Sequence, residues 1–284
     1  CSSDLTLLLE DDKDLAFTRK VNERYGSSDF LVVTYSPYED LLADSTLNSL
    51  RKLSAELLAL DRVASIDSIL NVPLLESPPK PIKELIENVP TLESPGIDKA
   101  LAKKEFLNSP IYRDNLVSPD FKTTALLINL HDDPLYRELL QQRNSLRQKE
   151  KEETLSVPEQ IELEKVLLDF KKHRDKMRLV EHDNIAKVRA IADKYRGDAK
   201  IFLGGASMIA DDLITFISSD LQVFGSAVLV FLMLTLWVIF RQFRWMMLPL
   251  ITCAFSVITT SGFLGLFGWE VTVISSNFIS IQLI

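Results

Sequence analysis

Cysteine is nearly missing from this chain. Its 284 residues contain Cys1 and Cys253, and the second lies inside an apolar run, so no disulfide framework can be drawn. Histidine is almost as scarce. His131, His173 and His182 have neither metal-ligand spacing nor cysteine company and sit in or beside a densely charged stretch, so they read as surface residues and no metal site is expected. No Gly-x-x-x-x-Gly-Lys loop is present to cradle nucleotide phosphates, which excludes ATP hydrolysis by this chain itself. A Gly-x-Ser-x-Gly elbow is missing too, and no other nucleophile stands with its base, so neither an enzyme nor a bound cofactor is expected. Positive charge is in deficit. The formal net charge is −8, which excludes nucleic acid as a partner because phosphate binding wants a basic surface.

The last quarter lacks charge of either sign. After Asp220 the only charged residues are Arg241, Arg244 and Glu270, so residues 1–220 carry 39 of the 40 acids and 30 of the 32 bases, a net of −9. What fills the charge-poor part is apolar. Leu221 to Phe240 and Trp245 to Phe267 are separated only by Arg241, Gln242, Phe243 and Arg244, and each is close to the roughly 20 residues that cross a hydrocarbon core. Residues 221–284 are therefore expected to form a transmembrane domain, with spans at 221–240 and 245–267 and a partial span at 271–284. Arg241 and Arg244 are the topology determinants, since the positive-inside bias places their loop in the cytoplasm and everything before Leu221 outside it. The chain opens with Cys1 and shows no n-region or h-region, so delivery of the outer part calls for a helix upstream; both ends are expected to be cut. A lipidated Cys1 is the alternative, with no lipobox before it to support it.

Periodicity organises residues 1–205 as one α+β domain. Phe30 to Tyr35 is β-branched and aromatic, a helix is expected over 45–60 with Leu47, Leu50, Leu53, Leu57 and Leu58 on its apolar face, and Val63 to Leu70 alternates as a strand. A second strand, helix and strand follow at 123–130, 184–195 and 199–203, the helix presenting Ile185, Val188, Ile191 and Ala192. Two such units in tandem outline a ferredoxin-like split βαβ fold. Between them, residues 71–120 carry eight prolines and should be irregular with short helical pieces.

An insertion at 134–181 is densely charged and is expected to be a helical hairpin. Pro134 suits a first helical turn, and Ser156 with Glu159 forms a capping box that starts the return helix. Leu163, Leu167, Phe170 and Met177 then follow coiled-coil spacing, facing Leu135, Leu139 and Leu146. The return helix is expected to run unbroken into the helix of the second unit. Such an arm is either a solvated spacer or a dock for a periplasmic protein.

The membrane boundary carries the remaining polar signals. Residues 206–220 are expected to form an amphipathic juxtamembrane helix with Ile209, Leu213, Phe216 and Ile217 as a stripe and Asp211, Asp212 and Asp220 either coupling the two domains or capping helix ends. In the partial third span, Ser276, Asn277, Ser280 and Gln282 form a polar intramembrane face, together with Ser275. Such groups seldom face lipid; they join helices or begin an ion or proton path.

Taken together, the tandem split domain, GGASMIADDLITFISSDLQVFG, a span, the arginine loop and a span ending in LGLFGWEVTVISSNFIS resemble the first half of a resistance-nodulation-division transporter. The closest likeness is to the hydrophobe/amphiphile exporters related to the mycobacterial large membrane proteins, whose second to fourth spans begin a sterol-sensing-like domain. YGSSDFLVVTYSP and VASIDSILNVPLL also look like that group's first extracytoplasmic domain. The resemblance implies a multi-pass protein of the bacterial inner membrane, export of lipids or other hydrophobic or amphiphilic compounds, and protons as the coupling ion. It also implies acids in the middle helices; 271–284 contain none. Two other classes stay open: a force-transmitting permease working with a separate ATPase, and a sterol or lipid sensor without transport.

Overall fold

The computed structural model describes residue 21, residues 29–77 and residues 89–266. Two compact units divide between Met208 and Ile209. In the first, alternation of buried and open side chains makes β1 (Phe30–Pro37), and the leucine spacing makes α1 (Asp44–Leu58). β2 (Val63–Asp67), α2 (Lys99–Asn108), β3 (Thr124–Leu130), α3 (Pro134–Lys151), α4 (Val157–Lys194) and β4 (Ala199–Gly204) follow.

The four strands form one antiparallel sheet in the order β2-β3-β1-β4. β1 and β2 thus run the same way with β3 between them, and β3 and β4 run the same way with β1 between them. The architecture is α+β. One face is covered: Leu31, Val33 and Tyr35 of β1 and Leu126 and Ile128 of β3 are at most 1% exposed, under Leu50, Leu53 and Leu57 of α1 and Ile185 and Val188 of α4. Each such leucine, fully buried, is worth roughly 1.5–3 kcal/mol of transfer free energy. Leu58 does not join them. It is 51% exposed, because the buried set Leu47, Leu50, Leu53 and Leu57 holds a helical face on which Thr46, rather than Leu58, is the additional member.

In the proline-rich stretch, α2 starts where the Asp98 carboxylate accepts the Ala100 N–H at 2.8 Å. Its Phe106 enters the main core and meets Tyr112 edge-on at 5.5 Å.

The insertion is a helical hairpin, with α4 carrying on through the sheet-covering segment as one 38-residue helix, about 57 Å long. Pro134 occupies the first turn of α3, and the Asp133 carboxylate caps it by accepting the Tyr136 N–H at 2.9 Å. At the tip, Glu159 accepts from the Ser156 N–H at 2.9 Å and the Ser156 hydroxyl at 2.6 Å, and pairs with Lys149 at 2.6 Å. These contacts, the Lys149 ammonium first, hold the Glu159 carboxyl down to about 2.

The seam differs from the expected leucine ladder. Leu146, Leu163 and Val166 are buried together, but Leu135 is 48% exposed. Its place is taken by Tyr136, whose ring lies 5.3 Å from that of Phe170, while the buried Arg143 sets its guanidinium 4.5 Å over the same ring. The seam cluster is separate from the main core, which takes no residue between Leu130 and Ile185.

α5 (Ala206–Phe240) starts in the last residues of the first unit, and the second unit holds the rest of it and α6 (Phe243–Leu266, with Pro249 inside). α5 runs unbroken through residues 206–220 and 221–240. It is the one helix among the described residues long and apolar enough to cross a membrane; the apolar part of α6, Met247–Phe263, is shorter. Thr235, Thr252 and Thr260 return their hydroxyls to carbonyls one turn back, at 2.9, 3.0 and 2.9 Å.

Because the arm carries its own seam and its two strands of helix meet at Asp133 and His173, 2.7 Å apart, replacing residues 135–177 by a short Gly/Ser linker should leave the sheet folded. Circular dichroism and thermal melting of the shortened protein check this; loss of the cooperative transition would show that the arm belongs to the core.

Candidate functional site

Two places combine unusual geometry with polar chemistry: the exit from the sheet toward α5, and the root of the arm. At the exit, β4 ends in Gly204 and Gly205. Gly205 has φ +137°, and a methyl group there would stand 2.9 Å from the Phe30 carbonyl oxygen and 3.0 Å from Leu31 Cδ2. Only glycine lets the chain turn this close to the start of β1. One residue on, α5 begins.

The three aspartates grouped from sequence do not act as caps. α5 starts at Ala206 with no acid in its first turn, so Asp211 and Asp212 fall in the second turn and Asp220 in the helix interior. Nor do all three share a face. Spacings of four put Asp212, Phe216 and Asp220 in line, with Asp212 half-buried and Phe216 and Asp220 exposed, whereas Asp211 falls off that line. At the far end of α5, Arg241 closes the helix in the left-handed region at φ 49°, its N–H bonded to the Trp237 carbonyl at 2.9 Å. Its cation there complements the negative end of the helix dipole. The connection to α6 is two residues, Arg241 and Gln242, shorter than the four expected, and Arg244 belongs to α6. Ser276, Asn277, Ser280 and Gln282 lie outside the described residues.

At the root of the arm, His173 is not the surface bystander expected. Its Nε2 lies 2.7 Å from Asp133 Oδ2, with the two side chains 18% and 19% exposed. Asp133 thus caps α3 with one oxygen and ties α4 with the other. Burial works to raise its carboxyl, but the Tyr136 N–H and His173 outweigh that, with Arg62 helping at longer range, and hold it below the usual carboxylate value. Glu181 nearby is pushed up, by burial first and then by the Asp29 charge, against the pull of Arg62. Spacing rules do not reveal this cluster, since its members come from 29, 62, 133, 173 and 181; the Asp-Asp-Pro start of α3 was the available hint. Among the described residues no group of three histidine, cysteine or acidic side chains is placed to hold a metal ion.

Comparison with known proteins bears on the C-terminal part of the molecule, which contains the exit and the two apolar helices. Residues 171–284 match the MMPL family. That stretch takes in the end of α4, β4, Gly205, α5 and α6, and agrees with the transporter resemblance read from sequence. No curated protein matches the chain. The hairpin outside residue 171 and strands β1 to β3 lie beyond the matched stretch.

Replacing Gly205 by alanine should cost about 1–3 kcal/mol through backbone strain and the clash with Phe30, whereas alanine at Gly204, where the nearest atom would be 3.9 Å away, should cost far less; paired thermal melts compare them. For the arm root, the lowered Asp133 pKa stabilises the fold above the usual carboxylate range, and that contribution is lost as pH falls through the lowered value. Protease cleavage within 134–181 should therefore rise on acidification below about pH 4, and Asp133→Asn should raise it at neutral pH and flatten the acid limb.

Proposed function

We propose that this chain is part of a proton-driven transporter of resistance-nodulation-division type that exports lipids or other hydrophobic or amphiphilic compounds across the bacterial inner membrane. The observation that carries the reading is the MMPL match over residues 171–284, which runs through β4 and Gly205 into a helix long enough to cross a bilayer. α5 has 35 residues, about 53 Å, against the roughly 30 Å of a hydrocarbon core, so residues 206–220 are surplus and serve as the juxtamembrane coupler, with Asp220 at the water boundary. Residues 245–267 are the second span and 271–284 begin the third. Arg241 and Arg244 hold the short connection in the cytoplasm.

On this reading residues 1–205 are the periplasmic porter-like domain. Its strand order, with β3 inside the first strand-helix-strand unit and β1 inside the second, supports the ferredoxin-like split βαβ description. The arm offers a surface for a periplasmic protein. A connection of two residues gives a separate cytoplasmic ATPase little to grip, which disfavours the force-transmitting permease. Ser276, Asn277, Ser280 and Gln282 then line the start of the proton path, and no step of the cycle is enzymatic.

In vesicles holding the full-length protein, an imposed proton gradient should drive amphiphile export. Asn277→Leu should depress it at unchanged membrane abundance, more than leucine at Ile279, because a lost amide leaves partners unsatisfied at about 1–3 kcal/mol. Export indifferent to the gradient, or no export at all, would overturn the reading and leave a lipid sensor.

A further inference from the structure

The second face of the sheet is where the domain departs from ordinary design. α1 and α4 cover one face, and on the other a single-sided antiparallel sheet usually turns polar side chains to water. Here the outward positions can be followed row by row through the strand register. Phe30 stands opposite Asn129; Val32 lies between Gly204 and Leu127; Thr34 lies between Phe202 and Ala125; Ser36 is opposite Lys200. Phe30 is 48% and Phe202 66% exposed, and Val32 and Leu127 are half-open.

The rows differ in chemistry along the strands. Across β3, β1 and β4 the middle is apolar, with small residues, Gly204, Thr34 and Ala125, making a shallow trough between the larger Phe202, Leu127 and Phe30; its β2 flank is polar, where Asp67 stands opposite Leu127 and accepts from the Asn129 amide at 2.9 Å. At Gly204 even an added methyl group would meet nothing closer than 3.9 Å, so the trough is open there. One end is polar and cationic. Lys200 is exposed, its carboxylate partners absent among the described residues, and beside it the Ser36 and Thr123 hydroxyls are 2.8 Å apart. From the Thr34 row to Phe30 is four residues, about 13 Å, across three strands about 10 Å wide. That length is on the scale of a single acyl chain, since one leaflet spans about 15 Å of hydrocarbon. The footprint is far below the roughly 800 Å² per partner that a stable protein interface buries.

We propose that this face binds a single-chain amphiphile with an anionic head group, the chain in the trough over Val32 and Phe202 and the head on Lys200 with the Ser36 and Thr123 hydroxyls. The assignment rests on the export reading and names the substrate class and where the sheet domain holds it. A fatty-acid carboxylate has the required chemistry: two acceptor oxygens for an ammonium and hydroxyl donors, and a tail with no polar group to satisfy.

The test uses the full chain in nanodiscs with a photoreactive fatty acid carrying a diazirine in its tail, and with an alkylammonium probe of the same chain length. Label should fall on peptides 30–36 and 200–204. Phe202→Ser should reduce labelling by both probes, while Lys200→Glu should reduce fatty-acid labelling about tenfold, the weight of one charge-assisted contact, and raise alkylammonium labelling. Both side chains are exposed, so circular dichroism should be unchanged. Labelling confined to α5 and α6, or insensitive to Lys200→Glu, overturns the proposal, as does efficient cross-linking between two copies through a cysteine at Phe202, which would make the face a protein interface. Labelling as expected in a protein that shows no export upholds the site while removing the transport reading; export unaffected by Lys200→Glu without such labelling does the reverse.

Discussion

Backbone pairing of β1 on both of its edges is the constraint on which the rest depends. β3 occupies one edge from Phe30 to Tyr35 and β4 the other from Val32 to Pro37. An antiparallel register with period two leaves no freedom once it is set: Leu31, Val33 and Tyr35 must go under the helices and Phe30, Val32 and Thr34 must go to the other side. The same register brings the end of β4 to the beginning of β1. Gly205 is the consequence, because a chain leaving β4 there passes so near the Phe30 carbonyl that a side chain would not fit.

Past that exit the composition changes from mixed to apolar. The sheet unit stabilises itself in the usual way, by burying a contiguous apolar layer between sheet and helices. Among the described residues, α5 and α6 contribute no fully buried side chain. Many of their apolar side chains are exposed, and Thr235, Thr252 and Thr260 close their hydroxyls onto their own backbones, as a helix in an apolar surrounding requires. The arm follows a third pattern. Its seam is short and mixed, with Arg143 and Tyr136 stacked on Phe170 where a leucine ladder was expected, and its root is fastened by a carboxylate and an imidazole. A fastening that runs through the Asp133 carboxylate is soft to pH in a way that a leucine seam is not.

Much of this architecture is legible in the residues. Charge distribution alone separates the acidic part from the apolar part, and a long run of apolar residues has few ways to fold whatever surrounds it. The strands and helices of the sheet unit announce themselves by period, and Ser156 with Glu159 marks the start of the return helix because capping is a local event. Leu58 lies one step past the buried face, a difference that apolar character alone does not reveal. Asp211, Asp212 and Asp220 lie beyond the first turn of α5, since where a helix begins decides which acids cap it.

What the sequence by itself determined, then, is everything that depends on near neighbours: the elements, their order, the hairpin turn and the apolar helices. Which residues from distant parts of the chain meet is a different matter. The root cluster of Asp133, His173, Glu181 and Arg62, the need for glycine at 205 and the open trough with Lys200 at its end arise only when β3 and β4 take their places beside β1. Register is the physical reason, because it is settled by the packing of a whole face, and no single segment carries the information of what will stand opposite it.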